Sequence, residues 1–140
     1  MELQNPNSDA VVVVGGGFAG LTTALQLSRK KNRPSIILIE PRDRFVFSPL
    51  LYEVLSGEIH FWEVAPTYQS LVGDRGIILI QEYVMRIDTQ DQKVVTQSGL
   101  EIKYSKVVIS TGSTPNYFGI PGGLEHTLRF HNLEDVQLLS

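Results

Sequence analysis

The sequence contains no cysteine. Disulfides, thiolate metal sites and cysteine nucleophiles are therefore excluded within its 140 residues. The three histidines, His60, His126 and His131, do not have the spacing of metal ligands. We accordingly assign no metal site and no catalytic side chain.

An excess of positive charge and a long apolar run are also missing. Twelve basic residues stand against fifteen acidic ones, for a net charge of −3, so we expect no nucleic-acid partner. No apolar stretch approaches the ~20 residues that cross a bilayer. Residues 1–9 form a polar tail without the hydrophobic region of a signal peptide, which favours a cytoplasmic location.

One complete unit for binding a dinucleotide occupies residues 11–40. An apolar run leads into a glycine-rich loop, an amphipathic segment continues to Lys31, and a second apolar run at residues 36–39 ends on Glu40. The elements occur in the order that the dinucleotide-binding fingerprint requires. The alternative is a structural turn between a buried strand and a helix, with Glu40 as a solvated strand-end charge. The order of elements favours an adenine dinucleotide as ligand.

Each part of this fingerprint has a physical role. Gly15 allows the tight turn out of the strand, Gly17 lets the backbone approach a pyrophosphate, and Gly20 lets the helix pack closely on the sheet. The amides at the start of the helix, at the positive end of its dipole, face the phosphates. The carboxylate of Glu40 can accept hydrogen bonds from ribose hydroxyls.

The remaining pattern predicts an α/β fold, a Rossmann-like three-layer FAD/NAD(P)-binding domain with a small antiparallel β insertion. Residues 77–80 and 107–110 are predicted as fully buried strands, and residues 93–96 and 100–104 as a hairpin around Gly99. Short helices are predicted at residues 50–55, ending at Gly57, and at residues 67–72, ending at Gly73. Asn132 and Asp135 are typical of a helix start.

We interpret residues 10–140 as one incomplete domain. The last predicted helix has only about two turns before Ser140, and so short a helix is marginal alone in water. The expectation is a chain truncated before a second, NADH-binding domain.

Four further features of the sequence are the segments VVGGGFAGL at residues 13–21, FSPLLYEVLSG at 47–57, WEVAP at 62–66 and STGSTPN at 110–116. In this order they resemble type II NADH:quinone oxidoreductases, flavoproteins of the pyridine nucleotide-disulfide oxidoreductase type. The amino-acid sequence of the segments is most similar to the branch that reduces demethylphylloquinone in cyanobacteria and plastids.

The resemblance implies that the glycine loop holds FAD. Glu40 would hold the ribose of the AMP half, and Val84 would meet the adenine through its backbone. Pro49 and Leu50 would approach the isoalloxazine. The full set of implied cofactor-binding residues is Gly15, Gly17, Phe18, Ala19, Gly20, Glu40, Pro41, Arg42, Pro49, Leu50, Val84, Thr111 and Gly112.

The resemblance also implies the order of electron transfer and the location of a full-length relative. There hydride passes from NADH to FAD, electrons then pass directly to a quinone, and the enzyme lies peripherally on the cytoplasmic face of a membrane. This sequence has no second G-x-G-x-x-G after residue 20. We therefore expect the chain alone to be inactive, to hold FAD weakly and to self-associate through an exposed apolar face. The alternatives are a non-catalytic dinucleotide-binding or interaction module and an NAD-dependent dehydrogenase domain.

Overall fold

The computed structural model describes residues 9–139, which form two compact units. The first unit comprises residues 9–43 and 67–112, and the second comprises residues 44–66 and 113–139. The strands are β1 Val11–Val14, β2 Ile36–Ile39, β3 Ile77–Ile80, β4 Val84–Asp88, β5 Lys93–Thr96, β6 Glu101–Lys103 and β7 Lys106–Ile109. The helices are α1 Phe18–Ser28, α2 Leu51–Ser56, α3 Phe61–Val64, α4 Tyr68–Val72, α5 Gly123–His126 and α6 Leu133–Leu139, with 3-10 turns at Ser48–Leu50 and Gly73–Arg75.

A four-stranded parallel sheet is the centre of the first unit. Its strand order is β3-β2-β1-β7. Val14 lies opposite Ile39 and Ile109, and Ile39 lies opposite Ile80, so the four strands end at the same level. The loops that follow β1, β2 and β7 therefore begin side by side, at the carboxyl edge where parallel α/β sheets bind ligands.

Two further layers cover this sheet. Helix α1 packs against β1 and β2 through Leu21 and Ala24, which are buried. The antiparallel sheet β4-β5-β6 supplies the other layer. One continuous core joins the two sheets through Ala10, Val12, Val14, Ile37, Ile39, Val94, Ile102 and Tyr104. Because alternate residues of a strand point to opposite faces, Val11 and Val13 face away from that core. The predicted three-layer α/β fold and its antiparallel insertion are confirmed.

The prediction that β3 and β7 are buried on all sides was wrong. Both are edge strands of the parallel sheet in the described residues. Ile78 is 47% exposed and Ile109 is 64% exposed. An all-apolar run is consistent with a strand covered on both faces, but it carries no information about which strand lies at the edge.

One predicted helix end differs, that of α1, whereas α4 ends at Val72 with Gly73 as its C-cap, as predicted. Helix α1 ends at Ser28, before Lys31, because the backbone turns at residues 29–32. Gly73 keeps a right-handed conformation and continues into the 3-10 turn, and the left-handed stop falls on Gly76, at φ +64°. Gly57, at φ +79°, does end α2 as predicted.

The second unit contains α2, α3, α5 and α6. The start of α6 is a reciprocal cap: the Asp135 amide donates to Asn132 Oδ1 at 2.8 Å, and Asp135 Oδ2 accepts from the Asn132 amide at 3.1 Å. The cap predicted from Asn132 and Asp135 is therefore confirmed. Across residues 9–139 no helix has the length and apolarity needed to span a membrane.

Candidate functional site

The glycine loop leaves the sheet between two neighbouring strands. Gly15 turns the chain at φ +93°, a conformation that favours glycine, and its amide donates to the Ile39 carbonyl at 2.9 Å. Gly20 lies so close to the loop that an added Cβ would collide with the Gly15 carbonyl oxygen. The roles predicted for Gly15 in the turn and for Gly20 in close packing match this geometry.

Gly17 stands apart from these two glycines. Its backbone, at φ −61° and ψ −169°, is one that any residue adopts, and an added Cβ would have no atom within 4 Å among the described residues. Neither backbone strain nor packing therefore requires glycine here. Gly17 is also the N-cap of α1 and, as a glycine, supplies no capping side chain, while its carbonyl accepts from the Leu21 amide at 2.9 Å. This open space beside first-turn amides suits a phosphate that approaches the backbone closely.

Glu40 follows β2 and is tied to the loop. Glu40 is only 2% exposed, and its Oε2 accepts from the Gly16 amide at 2.7 Å. Its Oε1 accepts from the Arg42 amide at 3.0 Å and from Arg42 Nε at 2.7 Å. Glu40 is thus a buried link between the loop and the segment after β2, and the interpretation as a solvated strand-end charge is wrong. Two carboxylate oxygens offer about four acceptor positions, so ribose hydroxyls would have to share them with the guanidinium of Arg42.

Burial raises the pKa of Glu40, but the hydrogen bonds from the Arg42 side chain and from the amides of Gly16 and Arg42 outweigh it, so the pKa lies below its ordinary value of 4.5. A lowered folded-state pKa gives stability that is fully present above pH 4.5 and is lost as the pH falls through the folded value.

We expect Glu40→Gln to lose less of its unfolding free energy than the unsubstituted chain when the pH falls from about 5 to about 3, because it has no carboxylate to protonate there. Urea unfolding of both proteins at each pH measures this difference. Equal acid sensitivity of the two proteins would contradict the assignment.

Two residues that the sequence analysis did not identify fix the loop by hydrogen bonds to its backbone carbonyls. Tyr68, the first residue of α4, is fully buried and its hydroxyl donates to the Gly16 carbonyl at 2.8 Å. Ser110, directly after β7, has its Oγ 2.9 Å from the carbonyls of both Val14 and Gly15, between which it shares its one hydroxyl hydrogen. A serine before Thr111-Gly112 and a tyrosine at a helix start carry no local signal of this role.

The other predicted cofactor residues are distributed over both units. Thr111 lies beside the loop, since its Cα would be 3.1 Å from a Cβ on Gly15, and Gly112 follows it at φ +78°. Val84 begins β4 and its side chain packs against the core. Phe18 and Ala19 occupy the exposed first turn of α1, and Pro41 connects Glu40 to Arg42. Pro49 and Leu50 belong to the 3-10 turn of the second unit.

A glycine loop at the carboxyl edge of a parallel sheet is the arrangement of Rossmann-like α/β folds. Residues 9–140 match the family described as Pyridine nucleotide-disulphide oxidoreductase, and the chain belongs to that family. The resemblance drawn from the four sequence segments is confirmed.

Individual relatives agree with this assignment. The chain is 36% identical over 137 residues to the demethylphylloquinone reductase of Synechocystis sp., covering 92% of this chain and 34% of that protein. It is 33% identical over 120 residues to the type II NADH:quinone oxidoreductase of Mycobacterium tuberculosis, covering 83% of this chain and 26% of that protein. The structure of the sulfide:quinone oxidoreductase of Aquifex aeolicus superimposes with a TM-score of 0.85 at 31% identity, over 94% of this chain and 30% of that one. The chain spans about a third or less of the length of these relatives.

Proposed function

We propose that this chain is the FAD-binding part of a flavin-dependent NAD(P)H:quinone oxidoreductase. The observation that carries the proposal is Gly17, a glycine that neither backbone nor packing requires, at the start of α1 and beside its first-turn amides. A pyrophosphate placed there would explain the missing side chain, because a Cβ would occupy the space that the phosphate needs. Two relatives named for quinone reduction support the choice of reaction.

The residues of the first unit that would hold the AMP half and the pyrophosphate form one network. The loop amides would bind the pyrophosphate, Glu40 would accept from the ribose, and Arg42 would lie beside the adenosine. Val84, Thr111 and Gly112 would add further contacts. We propose that Pro49 and Leu50 contact the isoalloxazine. A flavin held by these residues would supply the redox chemistry between NADH and a quinone, and we assign no residue of this chain a catalytic role.

Binding is tested by titrating the purified protein with FAD and following the quenching of flavin fluorescence, with ADP and NADH as competitors. We expect FAD and ADP to bind at the same site and NADH to compete weakly. Preferential binding of NADH would instead support an NAD-dependent dehydrogenase domain. Binding of neither FAD nor ADP would overturn the proposal.

We expect no turnover of NADH by this chain when FAD and a soluble quinone are added. The physical reason is that its 140 residues contain one dinucleotide fingerprint, whereas transfer between two dinucleotides needs a site for each. Spectrophotometric NADH oxidation measures this, with a full-length relative as positive control. Turnover at enzyme-like rates would contradict the proposed division of roles.

We also propose that the chain self-associates. Several large apolar side chains of the second unit are strongly exposed, namely Phe118, Ile120, Leu124 and Leu128. Contiguous exposed apolar surface promotes association. Sedimentation velocity over a range of concentrations should show an increasing mass, and a constant monomer mass would contradict this.

In a complete enzyme we propose a peripheral position on the cytoplasmic face of a membrane, with quinone as the second small-molecule partner.

A further inference from the structure

Both polar groups of the Gly16 peptide backbone are held by buried partners. The Gly16 amide donates to Glu40 Oε2 at 2.7 Å, and the Gly16 carbonyl accepts from Tyr68 Oη at 2.8 Å. Gly16 lies in a run of three glycines, so the loop has no side chain of its own to fix its backbone. The conformation of this segment therefore depends on groups that reach it from other elements.

Tyr68 is built into the unit as a rigid support. It is the largest of the fully buried side chains. Its ring fills the space below Gly16, where an added Cβ would lie 2.7 Å from a ring carbon. The Tyr68 amide donates to the Asp43 carbonyl at 2.9 Å, which ties the start of α4 to the segment after β2. The ring and the backbone together leave the hydroxyl little freedom to move.

The geometry of a trans peptide connects this hydrogen bond to the ligand side of the loop. The Gly16 carbonyl and the Gly17 amide belong to one planar group and point in opposite directions. A carbonyl held inward by Tyr68 therefore directs the Gly17 amide outward, on the side of the chain away from the tyrosine. The preceding peptide is held in the same way, since the Gly15 carbonyl accepts from Ser110 Oγ and the Gly16 amide donates to Glu40.

We propose that Tyr68 is a positioning residue of the dinucleotide site, which orients the Gly17 amide toward the pyrophosphate by holding the Gly16 carbonyl. The inference rests on the proposed function, since it names a further residue of the same site. It assigns to Tyr68 a role in phosphate binding without contact with the ligand. Burial and the nearby charge of Glu40 outweigh the charge of Arg42 and its hydrogen bond to the hydroxyl, and they raise the pKa of Tyr68 to about 12, so the hydroxyl remains a donor throughout the neutral range.

The test compares two tyrosines of the first unit. Tyr68→Phe keeps the ring that fills the space below Gly16 and removes only the hydroxyl. Tyr104→Phe is the matched control, because Tyr104 is 6% exposed and its hydroxyl donates to the Asp88 carbonyl at 3.2 Å, on the antiparallel sheet. We expect Tyr68→Phe to weaken ADP binding about tenfold, and Tyr104→Phe to change it less than about twofold.

Two further measurements separate positioning from a general loss of structure. Adenosine, measured by ligand-observed NMR, lacks phosphates, so in Tyr68→Phe its affinity should fall much less than that of ADP, although the hydroxyl also accepts from the Arg42 side chain. Tyr68→4-aminophenylalanine, which restores a donor, should recover most of the ADP affinity, and it tests the inference by itself if Tyr68→Phe does not fold.

The outcomes distinguish the inference from the function on which it rests. Equal ADP affinity in Tyr68→Phe and the unsubstituted protein would overturn the inference alone. Equal losses for ADP and adenosine, or equal losses in the two phenylalanine variants, would also overturn it. Failure of the unsubstituted protein to bind FAD or ADP would overturn the proposed function and this inference together.

Discussion

Gly17→Ala is expected to weaken FAD binding by at least about a hundredfold, which corresponds to about 2.7 kcal/mol. The new Cβ meets no atom of the described residues, so the substitution affects only the space into which a pyrophosphate would come. The unfolding free energy should fall by no more than about 1 kcal/mol, because alanine tolerates the observed backbone angles and the only cost is that of an alanine in place of glycine at the N-cap. Flavin titration and urea unfolding of the same preparation measure both effects.

Gly20→Ala is the control for a glycine that packing does require. Its Cβ would collide with the Gly15 carbonyl oxygen and come within about 2.5 Å of Ser110 Oγ, so α1 and the loop must move apart. We expect this variant to lose both stability and binding. If Gly17→Ala retained FAD as the unsubstituted protein does, the loop would not be the phosphate site.

Glu40→Ala is expected to lower the unfolding free energy by about 2–3 kcal/mol and to abolish measurable ADP binding. The stability loss follows because the buried Gly16 amide is left without its acceptor. This loss of unfolding free energy is smaller than the loss from breaking a fully buried ion pair, because the Arg42 side chain is 55% exposed and can turn toward water. The binding loss follows from a disordered loop and a missing ribose acceptor.

Glu101→Ala provides a matched surface control for Glu40→Ala. Glu101 Oε1 lies 3.0 Å from Lys93 Nζ, but its side chain is 55% exposed, so its removal should cost at most about 1 kcal/mol and leave ADP binding unchanged. Chemical unfolding and ADP calorimetry on both variants complete the comparison. A loss in Glu40→Ala no larger than in Glu101→Ala would contradict the structural role given to Glu40.

Several predictions from sequence failed where the outcome depends on what lies beside an element. The runs Ile77–Ile80 and Lys106–Ile109 have the composition of central strands, yet both lie at edges of the parallel sheet. The amphipathic pattern of α1 continues to Lys31, yet the helix ends at Ser28. In each case the local pattern permits more than one arrangement.

The sequence by itself determined the dinucleotide unit, its glycines and its terminal acid, because these are local: a turn, a helix start and a strand end follow from neighbouring residues. It also determined the family, through four segments in order. Only the tertiary structure decided that Glu40 is bound inward to Gly16, and that Tyr68 and Ser110 hold the loop from 52 and 95 residues away. Such partners are brought together by sheet order and packing, and no spacing along the chain reveals them.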